Sequence, residues 1–371
     1  MDKQPSYERY QRQMLLKEMG EGGQQKLLEA KVLVVGAGGL GCPALQYLAA
    51  AGVGSIGIID DDVVSISNLH RQILYSTNDV GSAKAEKAAA VLRALNPEIE
   101  IVAYNLRLTN QNAIDLFKQF DIVLDGSDNF STRYMINDAC VLLGKPLVYG
   151  AISRFEGQLA ILNCVTTNSP EKPVNYRDLF PHPPAENEVM NCAEAGVLGV
   201  LPGIIGSMQA NETIKLITGI GQPLINRLLT YNALNNQVYE IALTASADTG
   251  NLIPENIAAF TSMDYNWDCA VNNPPEVSLR EFNTLLNNKY ITIIDVRETG
   301  ERPIITEFKN THIPLNQLAE KLPVVNTEVV IAFCQSGKRS MKAAKLLSDA
   351  FGATKKVYSL KGGITNWKQN N

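Results

Sequence analysis

Lys31-Val32-Leu33-Val34-Val35-Gly36-Ala37-Gly38-Gly39-Leu40-Gly41-Cys42-Pro43-Ala44 runs an apolar strand straight into a glycine turn, and the turn into a helix. Val32–Val35 is a short, continuous apolar run rich in valine, as expected of a strand buried on both faces. Gly36–Gly41 forms the spacing Gly-x-Gly-x-x-Gly, and Pro43–Ala51 reads as the helix that follows. Glycines let the backbone approach phosphate oxygens, and the helix N-terminus offers N–H donors and positive partial charge. Alone, this spacing fits NAD, FAD or ATP equally well.

Outward from this unit the pattern keeps alternating. Ser55–Ile59 reads as a second strand ending at Asp60, where a carboxylate can hold ribose hydroxyls. Ala83–Leu95 is an alanine-rich helix closed by Asn96-Pro97, and Ile99–Tyr104, Asp121–Asp125 and Pro146–Tyr149 add three strands. This alternation predicts an α/β protein with a parallel, doubly wound, Rossmann-like sheet. Gln158–Cys164 and Leu228–Leu243 look antiparallel, and the glycine-punctuated stretch Val197–Ile217 reads as a long helix within a core. Residues 1–30 are polar and helix-prone. Residues 244–277 are rich in Ala, Asn, Asp, Thr and Pro and read as a linker. A smaller α/β unit follows: helix Ser278–Leu286, strands Tyr290–Val296 and Val329–Phe333, helix Ser340–Phe351 and strand Lys356–Ser359. The expected organisation is one domain over 1–243, a linker over 244–277 and a second domain over 278–371.

The 371 residues are 45% hydrophobic and 19% charged, ordinary for a globular protein with two cores. A net charge of −5 argues against nucleic acid as the main partner. No apolar run approaches the roughly 18 residues of a membrane span, so cytoplasmic residence without membrane attachment is expected. The six cysteines are scattered singly at 42, 140, 164, 192, 269 and 334, with no Cys-x-x-Cys pair. That scatter suits a reducing compartment and supports neither a disulfide framework nor a structural zinc site.

Two regions carry chemistry. After the acidic strand end comes Ser65-Ile66-Ser67-Asn68-Leu69-His70-Arg71-Gln72, then Lys84 at a helix start, then Asp125-Gly126-Ser127-Asp128-Asn129 at a strand end. Arginine and lysine suit triphosphate oxygens, and a strand-end carboxylate suits Mg²⁺. Arg71 or Lys84 alone would read as surface charge; the set together points to a triphosphate, which a hydride-transfer site does not need. In the smaller unit, Val329–Phe333 delivers Cys334 into Gln335-Ser336-Gly337-Lys338-Arg339-Ser340 ahead of a helix. Loop N–H groups, the helix N-terminus, Lys338 and Arg339 all favour the thiolate, making Cys334 a nucleophile or a sulfur carrier. Asp295 and Arg297 read as a structural ion pair beneath this loop and His312 as a packed or capping residue. His70 and His182 show no triad or metal pattern.

From about Tyr7 to Leu243 the chain resembles the adenylating enzymes MoeB, ThiF and HesA, relatives of ubiquitin-activating enzymes. The matching strings are Tyr10-Gln11-Arg12-Gln13, Gly36–Gly41, Asp60 with Asp62, Ser67–Gln72, Lys84, Ser127-Asp128-Asn129 and Asn191-Cys192-Ala193-Glu194-Ala195-Gly196-Val197. The segment 278–371 resembles a rhodanese domain through Ile294–Glu298, His312-Ile313-Pro314, the Cys334–Ser340 loop and Lys361-Gly362-Gly363-Ile364 with Trp367. The resemblance implies ATP held by Gly36, Gly38, Gly39, Gly41, Asp60, Ser67, Asn68, Arg71, Lys84 and Asn129, with Asp128 assisting Mg²⁺. It implies a homodimer in which Arg12 reaches the partner's phosphates. It also implies that Cys334, with Arg339 beside it, carries a persulfide, and that Cys192 is the second working thiol. Many relatives hold zinc with two Cys-x-x-Cys pairs; here those positions fall near Asn175–Asp178 and Cys269–Asn272, so no zinc site is expected.

These resemblances imply ATP-dependent adenylation of the C-terminal Gly-Gly of a small β-grasp sulfur carrier, of molybdopterin- (MoaD-like) or thiamine-pathway (ThiS-like) type. Transfer of persulfide sulfur would then give a thiocarboxylate, with thiosulfate or a cysteine desulfurase as sulfur donor. Two other functions stay open: an ATP-dependent tRNA-base dehydratase of the same family, and a redox-sensing or scaffold protein with a vestigial nucleotide site.

Overall fold

The structure, a computed structural model, describes residues 7–165, 172–183, 196–246, 248–265, 274–286, 290–318, 322–323 and 325–369. The chain divides into two compact units, Met1–Trp267 and Asp268–Asn371. No helix among the described residues is long and apolar enough to cross a membrane.

In the larger unit, helices α1 (Tyr7–Met14) and α2 (Gly20–Glu29) precede strand β1 (Lys31–Val35), helix α3 (Gly41–Ala51) and β2 (Ser55–Ile59). Then come α4 (Lys84–Leu95), β3 (Glu100–Tyr104), α5 (Ala113–Phe117), β4 (Ile122–Asp125), α6 (Phe130–Leu143), β5 (Leu147–Ser153) and β6 (Glu156–Leu162). The unit continues through α7 (Tyr176–Leu179), α8 (Val200–Thr218), β7 (Arg227–Asn232), β8 (Gln237–Ala242) and α9 (Ile257–Ser262). The sheet order is β3-β2-β1-β4-β5-β6-β7-β8. It is parallel from β3 to β5 and antiparallel from β5 to β8.

Period-two alternation sends successive residues of the central strands to opposite faces, and both faces are covered. Val32, Val34, Ile56, Ile58 and Leu124 pack with α2, α3 and α4 on one side. Leu33, Val35, Ile59 and Val123 pack with α5 and α6 on the other. This two-sided burial is why the strands read as unbroken apolar runs.

Several elements depart from the sequence expectations, among them α6 and part of the expected linker. Helix α6 has no counterpart in those expectations, because polar residues interrupt its apolar pattern: Arg133, Asn137 and Asp138 are buried alongside Tyr134, Met135, Ile136, Ala139 and Cys140. Part of the segment read as linker is folded onto the larger unit. Phe260 is fully buried, and Asn110 Nδ2 donates to the carbonyls of Thr261 and Met263 at 2.8 Å each. Asp178 Oδ1 accepts from Ser246 N at 3.0 Å and from Thr249 Oγ1. Tyr265 donates to Asp138 Oδ2 at 2.7 Å.

Where relatives would place zinc ligands, Asn175, Arg177 and Asp178 are committed to hydrogen bonds. Asn175 caps α7, and Arg177 forms a buried pair with Asp138 through Nε (2.8 Å) and Nη2 (2.6 Å). No group of three or more His, Cys, Asp and Glu side chains is gathered among the described residues; Cys269 lies outside them. Asp138→Ala strands the buried Arg177 charge and is expected to cost about 3–5 kcal/mol of stability in urea unfolding. A chelator is expected to leave the unfolding midpoint unchanged.

The smaller unit contains β9 (Glu276–Val277), α10 (Leu279–Leu286), β10 (Ile291–Asp295), β11 (Thr311–His312), α11 (Leu315–Leu318), β12 (Val329–Phe333), α12 (Lys338–Phe351), β13 (Lys356–Leu360) and α13 (Gly363–Gln369). Its parallel sheet runs β11-β10-β12-β13-β9. Alternation again feeds two cores: Ile294, Val330, Ala332 and Val357 on one face, Ile293, Ile331, Phe333 and Leu360 on the other.

Candidate active sites

In the larger unit a cleft of about 370 Å³ opens at the carboxyl ends of β1, β2 and β4. Strand order reverses at β1, and a parallel sheet has its ligand crevice at such a switch point. The turn after β1 fits only glycine at its two ends. Gly36 has φ +94°, and a Cβ there would lie 2.6 Å from the Gly126 carbonyl oxygen. A Cβ on Gly41 would lie 1.9 Å from the Gly36 carbonyl oxygen, so α3 can begin this close to β1 only without a side chain.

Gly36, Gly38, Gly39, Asp60, Arg71, Lys84, Asp128 and Asn129 all line the cleft. Asp60 braces the turn: Oδ2 accepts from Ala37 N at 2.8 Å and Oδ1 from Asp62 N at 2.9 Å. Burial pushes its carboxyl up from the usual range, with Lys84 and these N–H groups pulling the other way. Lys84, only 4% exposed, aims its ammonium at Asp62 Oδ2, 2.8 Å away, on a carboxylate that is itself largely in solvent. Arg71 Nη1 donates to the Ser67 carbonyl at 3.0 Å. The Asp128 side chain is exposed at the cleft wall, while Asn129 accepts from Thr132 N as the N-cap of α6. Beneath them Arg133 pairs with Asp125 at 3.3 Å and donates to the Ser127 carbonyl at 3.2 Å, fixing the strand end from below.

Gly41, Ser67, Asn68 and Arg12 do not line the cleft. Gly41 acts through packing. Ser67 Oγ lies 2.8 Å from Ser65 Oγ, and Asn68 Oδ1 accepts from Ser65 N, so both close the short turn that carries Arg71. Arg12 is exposed on α1, which is anchored by the Tyr10 hydroxyl accepting from Asn96 and by Gln13 donating to the Ala51 carbonyl. Cys192 lies outside the described residues, but Val197, five positions on, pairs with Arg154 and lines the cleft.

Leu106, Arg107 and Leu108 also form cleft wall, and the sequence reading passed over them. No motif marks them. They follow β3, whose Tyr104 sits in register with Ile59, so topology alone brings them beside Asp60.

In the smaller unit β12 ends at Cys334, which is 1% exposed. Gly337 N donates to its Sγ at 3.2 Å, and Sγ lies 3.6 Å from Ser340 Oγ. Helix α12 already begins at Lys338, so the loop is tighter than the expected span to Arg339. From behind, Ile364 N and Thr365 N at the start of α13 donate to the carbonyls of Cys334 (2.8 Å) and Gln335 (3.1 Å), tying the loop to that helix. Asp295 and Arg297 form a buried pair at 2.6 Å, and His312 Nε2 lies 2.8 Å from the Arg297 carbonyl. Arg339 is engaged with Glu301, whose carboxyl it holds down to about 2. Other described thiols are poor nucleophiles: burial pushes Cys42 up to about 12, and Cys140 and Cys164 also upward.

The ThiF family matches residues 10–252 and the rhodanese-like domain residues 278–370. Over 97% of its length the chain is 41% identical to the probable adenylyltransferase/sulfurtransferase MoeZ of Mycobacterium tuberculosis, covering 92% of that protein. It is 37% identical to the adenylyltransferase and sulfurtransferase MOCS3 of Xenopus laevis, covering 99% of this chain and 87% of the relative. A sulfur carrier protein adenylyltransferase of Thermus thermophilus is 54% identical over 61% of this chain and 83% of its own length. Among solved structures, E. coli MccB with ATP shares the fold, with a TM-score of 0.55 at 22% identity over 66% of this chain and 73% of that one. The chain belongs to the ThiF family, carries a rhodanese-like domain after it, and is an adenylyltransferase and sulfurtransferase.

Proposed function

We propose that the chain adenylates the C-terminal Gly-Gly carboxylate of a small β-grasp sulfur carrier and converts it to a thiocarboxylate with sulfur carried on Cys334. The observation that carries this is one chain holding both parts. A glycine-floored cleft brings Arg71 and Lys84 together with Asp60 and Asp128, and a buried Cys334 in the smaller unit accepts a loop N–H at 3.2 Å.

Adenylyl transfer implies ATP as the donor. Gly38 and Gly39 leave room for phosphates against the N-terminus of α3, and Asp60 keeps lone pairs free for ribose hydroxyls. Lys84 exchanges Asp62 for phosphate oxygens as ATP binds, and Arg71 neutralises the same group. Mg²⁺, held largely by phosphates and water, needs few protein ligands, and the exposed Asp128 carboxylate suits it; the ion would neutralise phosphate charge. In a homodimer Arg12 of the second copy adds a further cation. The carrier carboxylate attacks the α-phosphorus, the P–O bond to pyrophosphate breaks, and an acyl-adenylate results.

The terminal sulfur of the Cys334 persulfide then attacks the acyl carbon and AMP leaves. Cys192 thiolate attacks the Cys334 sulfur of the acyl disulfide, releasing the thiocarboxylate and leaving a Cys192–Cys334 disulfide for an external thiol to reduce. Holding both activities in one chain raises the effective concentration of the sulfur nucleophile. ATP–pyrophosphate exchange is expected with a β-grasp carrier ending in Gly-Gly and absent when that Gly-Gly is deleted. Exchange indifferent to the carrier's C-terminus would sink the assignment.

A further inference from the structure

The guanidinium nearest the sulfur loop is already occupied. Arg339 donates from both Nη atoms to the two oxygens of Glu301, Nη2 to Oε2 at 2.8 Å. Glu301 is itself fixed to the preceding turn, accepting from Glu298 N at 2.7 Å while its own N–H donates to the Glu298 carbonyl. The pair stays reachable from solvent, with side chains 32% and 29% exposed. Arg339 lies in the first turn of α12, whose N-cap residue Gly337 donates its N–H to the Cys334 sulfur at 3.2 Å. The neighbouring Arg297 is locked by Asp295 and the Pro303 carbonyl. The loop therefore presents less net positive charge than its sequence, with Lys338 and Arg339 side by side, promises.

We propose that Glu301 is a specificity-determining residue of the sulfur site: by holding Arg339 it disfavours sulfur donors in proportion to their negative charge. This rests on Cys334 being the sulfur-accepting thiolate. With thiosulfate, that thiolate attacks the outer sulfur, a new S–S bond forms, the donor S–S bond breaks, and sulfite departs with its electron pair. With methanethiosulfonate the same step expels methanesulfinate. Charge is conserved in both cases and no oxidant is required.

Electrostatic attraction scales with ligand charge, so freeing Arg339 changes the affinity of a dianion by the square of its effect on a monoanion. The test uses the full chain with cyanide as sulfur acceptor, comparing Glu301→Gln and Glu301→Ala with wild type. KM for thiosulfate is expected to fall roughly 4- to 10-fold and KM for methanethiosulfonate about 2- to 3-fold. The difference is expected to shrink in high salt, and adding Arg339→Gln to either variant to restore the wild-type ratio. Equal shifts for the two donors, or none, with wild type turning both over, overturn the role of Glu301 and leave that of Cys334 standing. Undiminished turnover by Cys334→Ala overturns both.

Discussion

Cys334→Ala is expected to abolish thiocarboxylate formation and leave carrier-dependent ATP–pyrophosphate exchange at the wild-type rate. Losing the nucleophile that carries the transferred atom removes the pathway itself, so the fall is on the order of 10³-fold or more. The separation between activities follows from the architecture. Cys334 sits at the end of β12 in the smaller unit, whereas every residue lining the nucleotide cleft belongs to the larger one. Folding is not at stake: alanine fits the buried position, and the lost Sγ contacts at 3.2 and 3.6 Å are weak sulfur hydrogen bonds. Mass spectrometry of the carrier reads the result as exchange of one oxygen for sulfur. Full thiocarboxylate yield without Cys334 would remove the smaller unit from the reaction. Loss of exchange as well would mean that adenylation depends on this thiol.

The strand-to-glycine unit was legible because two-sided burial leaves a plain signature. Ser55–Ile59 and Val329–Phe333 emerge with the bounds that their apolar runs predict. Helix α6 was hidden for the opposite reason. Its core-facing Arg133, Asn137 and Asp138 look like surface residues until Asp125, Tyr176 N and Arg177 supply their partners. Segment 248–265 was similarly masked by polar composition, although one buried ring, Phe260, and the Asn110 amide hold it down.

In the nucleotide cleft, residues carried by motifs were visible, whereas the wall at 106–108 depends on the β2–β3 register and was not. Ser67, Asn68 and Asn129 show a further limit. Their polar side chains suit a ligand in sequence but spend at least one hydrogen bond each on local turns and caps. Arg339 belongs to the same class: the string shows its charge, and only the fold brings Glu301, 38 positions away, onto it.

The second large effect is expected at Lys84. Lys84→Ala is expected to slow ATP–pyrophosphate exchange about 10²- to 10³-fold, the range for removing a preorganised charge from a transferring group. Burial of this lysine raises the alternative that it merely holds the fold together, and its partner decides between the two. Asp62 is 72% exposed, so deleting the ammonium removes a pair that solvent already weakens, and Asp60, the more buried carboxylate nearby, keeps its hydrogen bonds from Ala37 N and Asp62 N. Stability is thus expected to change little in urea unfolding. Arg133→Ala gives the contrast, because Asp125 beneath it is fully buried and would lose its cation. There, stability falls together with exchange. Lys84→Ala with unaltered exchange but a lowered unfolding midpoint would reverse the assignment, making Lys84 a brace for Asp62 and leaving Arg71 as the cation that meets the phosphates.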